Sequence, residues 1–268
     1  MRIDLIAFVL PYLLIFARIS STLTIAPGFS DTHIPVRYRL LFALALSLTL
    51  KDVLPPYSIL SAPMDSEKIN SLPLIMLLIQ ETLIGTFIGF ISRLLLNILD
   101  IIGNIVSLQT GLGNATVFNP TMAAQTPVLD HFVIVAGIML FFTMDVHHLV
   151  IKSIIHSYIH FPVHPVHLEQ GLFSSLLRPL ENLSLFFMQS FKIACQLSLP
   201  FLILGLLFQF MLGLLNRVVP SIQIFFIALP LQILLGFILL MIVLPLVLHL
   251  SLTNFSQLYN QFFPGMSA

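Results

Sequence analysis

The stretch Gly111-Leu112-Gly113-Asn114-Ala115-Thr116-Val117-Phe118-Asn119-Pro120 sits inside a longer run, from Asp100 to Asp130, with no charged residue between its ends. Pro127 closes it. Two glycines, two asparagines and two prolines exclude a regular element there. Long apolar runs flank it on both sides. In lipid, irregular backbone survives only where protein buries it or where it lines an aqueous cavity. The fold is therefore read as all-α, with membrane-type helical hairpins, some of them broken. The neutral loop, about 111–127, becomes the first candidate for a gate, plug or selectivity element.

Composition agrees. The chain has 268 residues, 58% of them hydrophobic and only 8% charged, with a mean hydropathy of +1.04. Soluble domains carry about 25% charged residues, so a polytopic membrane protein is expected, or one held inside a membrane-embedded assembly. Eleven basic residues balance eleven acidic ones, and nothing points to nucleic acid. A single cysteine, Cys195, excludes an internal disulfide and zinc-type cysteine pairs. The N-terminal apolar run passes Arg18 without a clear cleavage site and is read as retained.

Spans need roughly 20 apolar residues. Residues 3–26 reach that length, interrupted by Pro11 and Arg18. Residues 40–50 are short and are expected to extend to about 54. Residues 72–91 and 94–108 read as two successive segments on either side of Arg93. Residues 128–144 form a span that continues towards 155, before a polar region over 156–182. Residues 183–215 are a long apolar block that Pro200 is expected to kink or break. Residues 222–250 form the last block, followed by a short polar-aromatic tail. Broken segments of this kind point to a transport path, although Pro and Gly are also common in ordinary membrane helices.

Helical spacing places Arg93, Asn97, Asp100, Asn104 and Ser107 on one narrow stripe that leads into the loop. Such a stripe is costly against lipid. It faces either an aqueous path or another polar subunit, or it forms a hydrogen-bonded seam between helices. Arg18, Glu81, Lys192 and Arg217 are read as buried charges, as either functional groups or interhelical ion pairs. Gly85 and Gly89 form a GxxxG suited to close helix contact. His147, His148, His156, His160, His164 and His167 cluster, but Pro162 and Pro165 interrupt their helical spacing and no HExxH occurs, so no metal site is assigned. No phosphate loop, dinucleotide fingerprint or nucleophile elbow is present, so neither an enzyme nor a cofactor is expected.

Several local patterns occur together in order. They are Ala26-Pro27-Gly28-Phe29 with Ile34-Pro35-Val36-Arg37, Phe118-Asn119-Pro120 with Pro127-Val128-Leu129, and Leu140-Phe141-Phe142 before His147-His148. Near the C-terminus come Leu199-Pro200, Gly213-Leu214-Leu215-Asn216-Arg217, Pro220, Pro230 and Gly236. In this the chain resembles the FliR family of flagellar type III secretion export-gate subunits and its injectisome counterparts. Two positions depart from the family pattern: Asn119 stands where an acidic residue is frequent, and Asp145-Val146 where Asn-Gly or Asp-Gly is frequent.

The resemblance implies a fusion of FliP-like and FliQ-like parts, here 1–182 and 183–268. It also implies partnership with FliP-like and FliQ-like subunits, FlhB-like and FlhA-like neighbours, and unfolded export substrates. The place implied is the bacterial inner membrane at the flagellar basal body. The matching loop acts as a channel plug in the family, which assigns gating to Gly111, Leu112, Gly113, Asn114, Phe118, Asn119, Pro120, Met122 and Pro127. The alternatives are an injectisome export-gate subunit and, from another class, a stand-alone secondary transporter using Glu81, Arg93 and Asp100.

Overall fold

The computed structural model describes residues 2–30, 34–53, 71–113, 128–161, 172–218 and 224–262. Among them seven helices and no strand occur: α1 (Arg2–Ile25), α2 (Val36–Val53), α3 (Ser71–Gln109), α4 (Val128–Thr143), α5 (Val146–His160), α6 (Leu172–Val218) and α7 (Ile224–Phe262). The all-α, membrane-type reading holds. Among the described residues three helices are long and apolar enough to cross a membrane, within α3, α6 and α7, or four if the bent pair α4 and α5 counts as one span.

The helices are longer and less broken than the sequence suggests. Residues 72–91 and 94–108 belong to one helix, α3, of 39 residues. The polar pair between them does not interrupt it, because the Ser92 hydroxyl returns its hydrogen bond to the Ile88 carbonyl at 2.9 Å and Arg93 is exposed. Helix α6 runs through Pro200 without a break, and α7 runs through Pro230 and Pro245. In apolar surroundings a released backbone group finds no water, so an intact helix remains the favoured state on either side of a proline. The tail also continues α7: the hydroxyls of Ser251 and Thr253 donate to backbone carbonyls one turn back, which removes the reason to leave the helix.

The chain divides into two compact units. The first comprises Met1–Leu94, Asp145–Phe186 and Ser256–Ala268. Its described core holds Leu14, Ile15 and Ile19 of α1, Ile84, Ile88 and Ile91 of α3, and Ile154 and Tyr158 of α5. Helices α1 and α2 pack together, with Phe29 stacked on Phe42 at 5.6 Å and the Lys51 ammonium 3.9 Å over the Tyr12 ring. The second unit comprises Leu95–Met144 and Phe187–Phe255. Its core joins Ile98, Ile102 and Val106 of α3 to Leu129 of α4, Ala194 and Phe201 of α6, and Leu240 and Val247 of α7.

Candidate functional site

Two polar constructions stand out among the apolar helices, one in each unit. In the first unit Arg18 and Glu81, two of the charges read as buried, form a bidentate ion pair. Arg18 Nε donates to Glu81 Oε2 at 2.6 Å and Nη2 to Oε1 at 2.8 Å, and both residues are fully buried. Helix α5 completes the shell. Arg18 Nη1 donates to Ser157 Oγ at 2.9 Å, Nη2 donates to the Phe161 carbonyl at 3.0 Å, and the Tyr158 ring lies 3.9 Å from the guanidinium carbon. The charges are paired inside the group and the guanidinium makes four hydrogen bonds, which is what makes a buried pair tolerable.

The GxxxG of α3 permits this approach. A Cβ on Gly85 would collide with Ser21 Oγ and the Arg18 carbonyl, and one on Gly89 would lie 2.8 Å from the Thr22 carbonyl oxygen. Thr22 Oγ1 donates to the Gly85 carbonyl at 3.0 Å. Nearby, Tyr259 Oη donates to Ser153 Oγ at 2.7 Å and lies 3.2 Å from Ser92 Oγ. Each of these groups pins helices distant in sequence. All of these side chains are buried.

In the second unit the structure describes how the neutral loop begins. Gly111 adopts φ +80°, the left-handed conformation that ends a helix. The Gly113 amide donates to the Ser107 carbonyl at 2.9 Å. Gln232 of α7 donates from Nε2 to the Gln109 carbonyl at 2.8 Å, satisfying a carbonyl that the helix end leaves open, and its amide carbon lies 3.3 Å from where a Gly111 Cβ would stand. Two further glycines accept the polar end of α3. A Cβ on Gly205 of α6 would collide with the Gln109 amide, and one on Gly236 of α7 with the Thr110 side chain.

The first turn of α4 holds Asp130, which is buried. Among the described residues its Oδ1 has no hydrogen-bond partner, and it occupies the space a Gly103 Cβ would need. Of the residues assigned to gating, Gly111, Leu112 and Gly113 are described. Asn114, Phe118, Asn119, Pro120, Met122 and Pro127 lie outside the described residues.

The polar stripe of α3 divides. Arg93 and Asp100 are exposed, Asn97 and Asn104 are half-buried, and Ser107 is fully buried. Asn104 Nδ2 donates to the Asp100 carbonyl at 2.9 Å. Lys192 and Arg217, also read as buried charges, are both exposed on α6 of this chain. The reason is that this chain leaves most of α6 uncovered, with seven of the 36 residues of Leu183–Val218 buried. His156 and His160 lie on α5, and His164 and His167 fall outside the described residues.

Sequence reading missed Ser157, Tyr158, Gln109, Gly205 and Gln232. Gln232 carried a usable signal, since it is the one polar side chain in 224–248. Ser157 carried none, being 139 residues from Arg18.

Residues 9–258 match the family described as bacterial export proteins, family 1. The flagellar biosynthetic protein FliR of Caulobacter vibrioides is 33% identical over 231 residues, covering 83% of this chain and 84% of that protein. FliR of Aquifex aeolicus is 28% identical over 95% of this chain and 93% of its own length. FliR of Escherichia coli is 27% identical over 91% and 87% respectively. With the family matched over nearly its whole length and a relative above 30% identity, the chain belongs to the bacterial export proteins of family 1, the family of the flagellar biosynthetic FliR proteins.

Proposed function

We propose that this chain is a structural and gating subunit of the type III protein export gate. In this reading it forms, with FliP-like and FliQ-like subunits, the inner-membrane channel through which unfolded flagellar substrates pass. FlhB-like and FlhA-like proteins are its neighbours. The ancestry-based parts, FliP-like 1–182 and FliQ-like 183–268, are distinct from the two compact units.

The observation that carries the proposal is the family match over residues 9–258, with FliR relatives beside it. The surface that this chain leaves uncovered agrees with it. Leu206, Phe210, Met211 and Leu214 of α6 and Met241 and Ile242 of α7 are exposed, and so is Lys192 within the apolar run of α6. A charge in such a run is costly against lipid, and a polar neighbouring subunit is what would meet it.

The neutral loop fits the gating role. Cargo of any sequence must pass, and a fixed charge there would hold oppositely charged segments. A loop of glycines, amides and apolar side chains closes by packing alone. Co-expression with FliP-like and FliQ-like subunits tests the assembly: a stable complex is expected, whereas a monodisperse single chain that moves a solute would refute it. Deleting 113–121 tests the gate: the assembled complex should leak ions, and an unchanged leak would refute the plug.

A further inference from the structure

We infer that Asp145, His147 and His148 form a binding site for a borderline divalent transition-metal ion of the zinc or cobalt type. One ligand atom from each residue lies within 4.8 Å of the other two. Tetrahedral zinc, with bonds of roughly 2.0–2.1 Å, holds its donors about 3.3 Å apart. Closing the gap takes a side-chain movement of about 1.5 Å. Asp145 and His148 have room to make it, because their side chains are 76% and 61% exposed.

The donor set selects the ion. Two imidazoles and one carboxylate suit zinc, cobalt and nickel. Calcium and magnesium require more oxygen donors than one carboxylate supplies.

The side chains already converge. Asp145 stands at the N-cap of α5, where an aspartate ordinarily accepts a hydrogen bond from the first turn. It makes no such bond. Its Oδ1 instead lies 3.6 Å from His148 Nδ1, outside hydrogen-bond distance. The His147 and His148 rings sit 4.2 Å apart at 38°, so their nitrogens can address one point. The HExxH and i, i+4 patterns that normally advertise such sites are absent here. Asp-x-His-His is assembled by the bend before α5 and not by helical spacing.

The test uses the full chain, purified in detergent without a polyhistidine tag and stripped of metal. Cobalt(II) should give d–d absorption saturating at one ion per chain, and zinc should displace it. His148→Gln, His147→Gln and Asp145→Asn should each weaken cobalt binding at least about tenfold. His249→Gln, at an exposed histidine elsewhere, should leave it unchanged. Asparagine tolerates the left-handed backbone of Asp145, φ 57°, so that variant should keep the parent melting temperature and separate ligand loss from misfolding. No saturable cobalt binding up to millimolar concentration would overturn the site. Binding that survives any of the three substitutions would overturn the three-ligand assignment.

Discussion

Breaking the Arg18–Glu81 pair one side at a time gives unequal penalties, and the geometry sets the order. Removing one partner of a buried pair costs about 3–5 kcal/mol, because a charge stays behind. In Arg18→Met, Glu81 loses both of its donors, Nε and Nη2. In Glu81→Leu, Arg18 keeps Ser157 Oγ, the Phe161 carbonyl and the Tyr158 ring. Arg18→Met therefore belongs near the upper end of the range and Glu81→Leu near the lower. The double variant Arg18→Met with Glu81→Leu removes both charges. Its apolar replacement is about neutral or stabilising, offset by about 1–3 kcal/mol for the Phe161 carbonyl left without a donor.

Unfolding in detergent can be followed through a thiol-reactive dye, since Cys195 is the single cysteine and is half-buried. At about 2–4 °C per kcal/mol, the single variants should melt about 6–20 °C below the parent, Arg18→Met lowest. The double variant should recover most of the loss. An Arg18→Met chain melting within about 2 °C of the parent would refute the reasoning, as would a double variant as unstable as Arg18→Met.

Three further perturbations follow from the packing. Gly103→Val forces a side chain into the space of the Asp130 carboxylate and should destabilise by about 1–3 kcal/mol, read as a lowered melting temperature. Gln232→Leu leaves the Gln109 carbonyl without its donor and should lower stability by about 1–3 kcal/mol, with faster amide exchange at 109–113 as the local readout. Gly213→Val meets nothing within 4 Å, so the isolated chain should change by no more than about 0.5 kcal/mol. If α6 is a subunit interface, the same variant should lose FliP-like or FliQ-like partners in co-purification, and full retention would argue against an interface at that point.

The helical class was legible because apolar length and low charge suffice to set it. Helix limits were less so, and the errors share one cause. Pro200, Ser92 and the tail beginning at Ser251 are breakers by the rules of water-exposed chains. In this molecule the hydroxyls of Ser92, Ser251 and Thr253 are met inside the helix, and α6 continues through Pro200. The isolated charges Arg18 and Glu81 were visible as anomalies in apolar runs. Their pairing was not, since 63 residues separate them and no periodicity spans that distance. Lys192 looked the same in sequence yet lies exposed: a charge in an apolar run reveals that something must meet it, without revealing whether the same chain does so. Asp145 and His147 illustrate the converse, a cluster formed by a bend that no periodic template describes.

The loop deletion is a sharper test than loop deletions usually are, because the connection remains long enough to close. Asp130 of α4 packs on Gly103 of α3, so the two helices meet there. Leu112 lies nine residues beyond that contact, about 13 Å at helical rise. Removing 113–121 leaves six residues, 122–127, to join Leu112 to Val128. Seven residue steps reach about 23 Å when extended, enough to cover the rise and a helix-to-helix offset of 8–10 Å. Six residues also fall within the 2–8 typical of helix–helix connections. The full connection, by contrast, has more chain than joining two helices needs, which is the mark of a loop kept for another purpose. The shortened protein should fold with the parent melting temperature to within about 2–4 °C, a change of no more than about 1 kcal/mol. Against that unchanged stability, a raised ion leak in the assembled complex reports on the missing segment itself. A shortened chain that melts far below the parent would show that the loop supports the fold, and the gating assignment would fall with it.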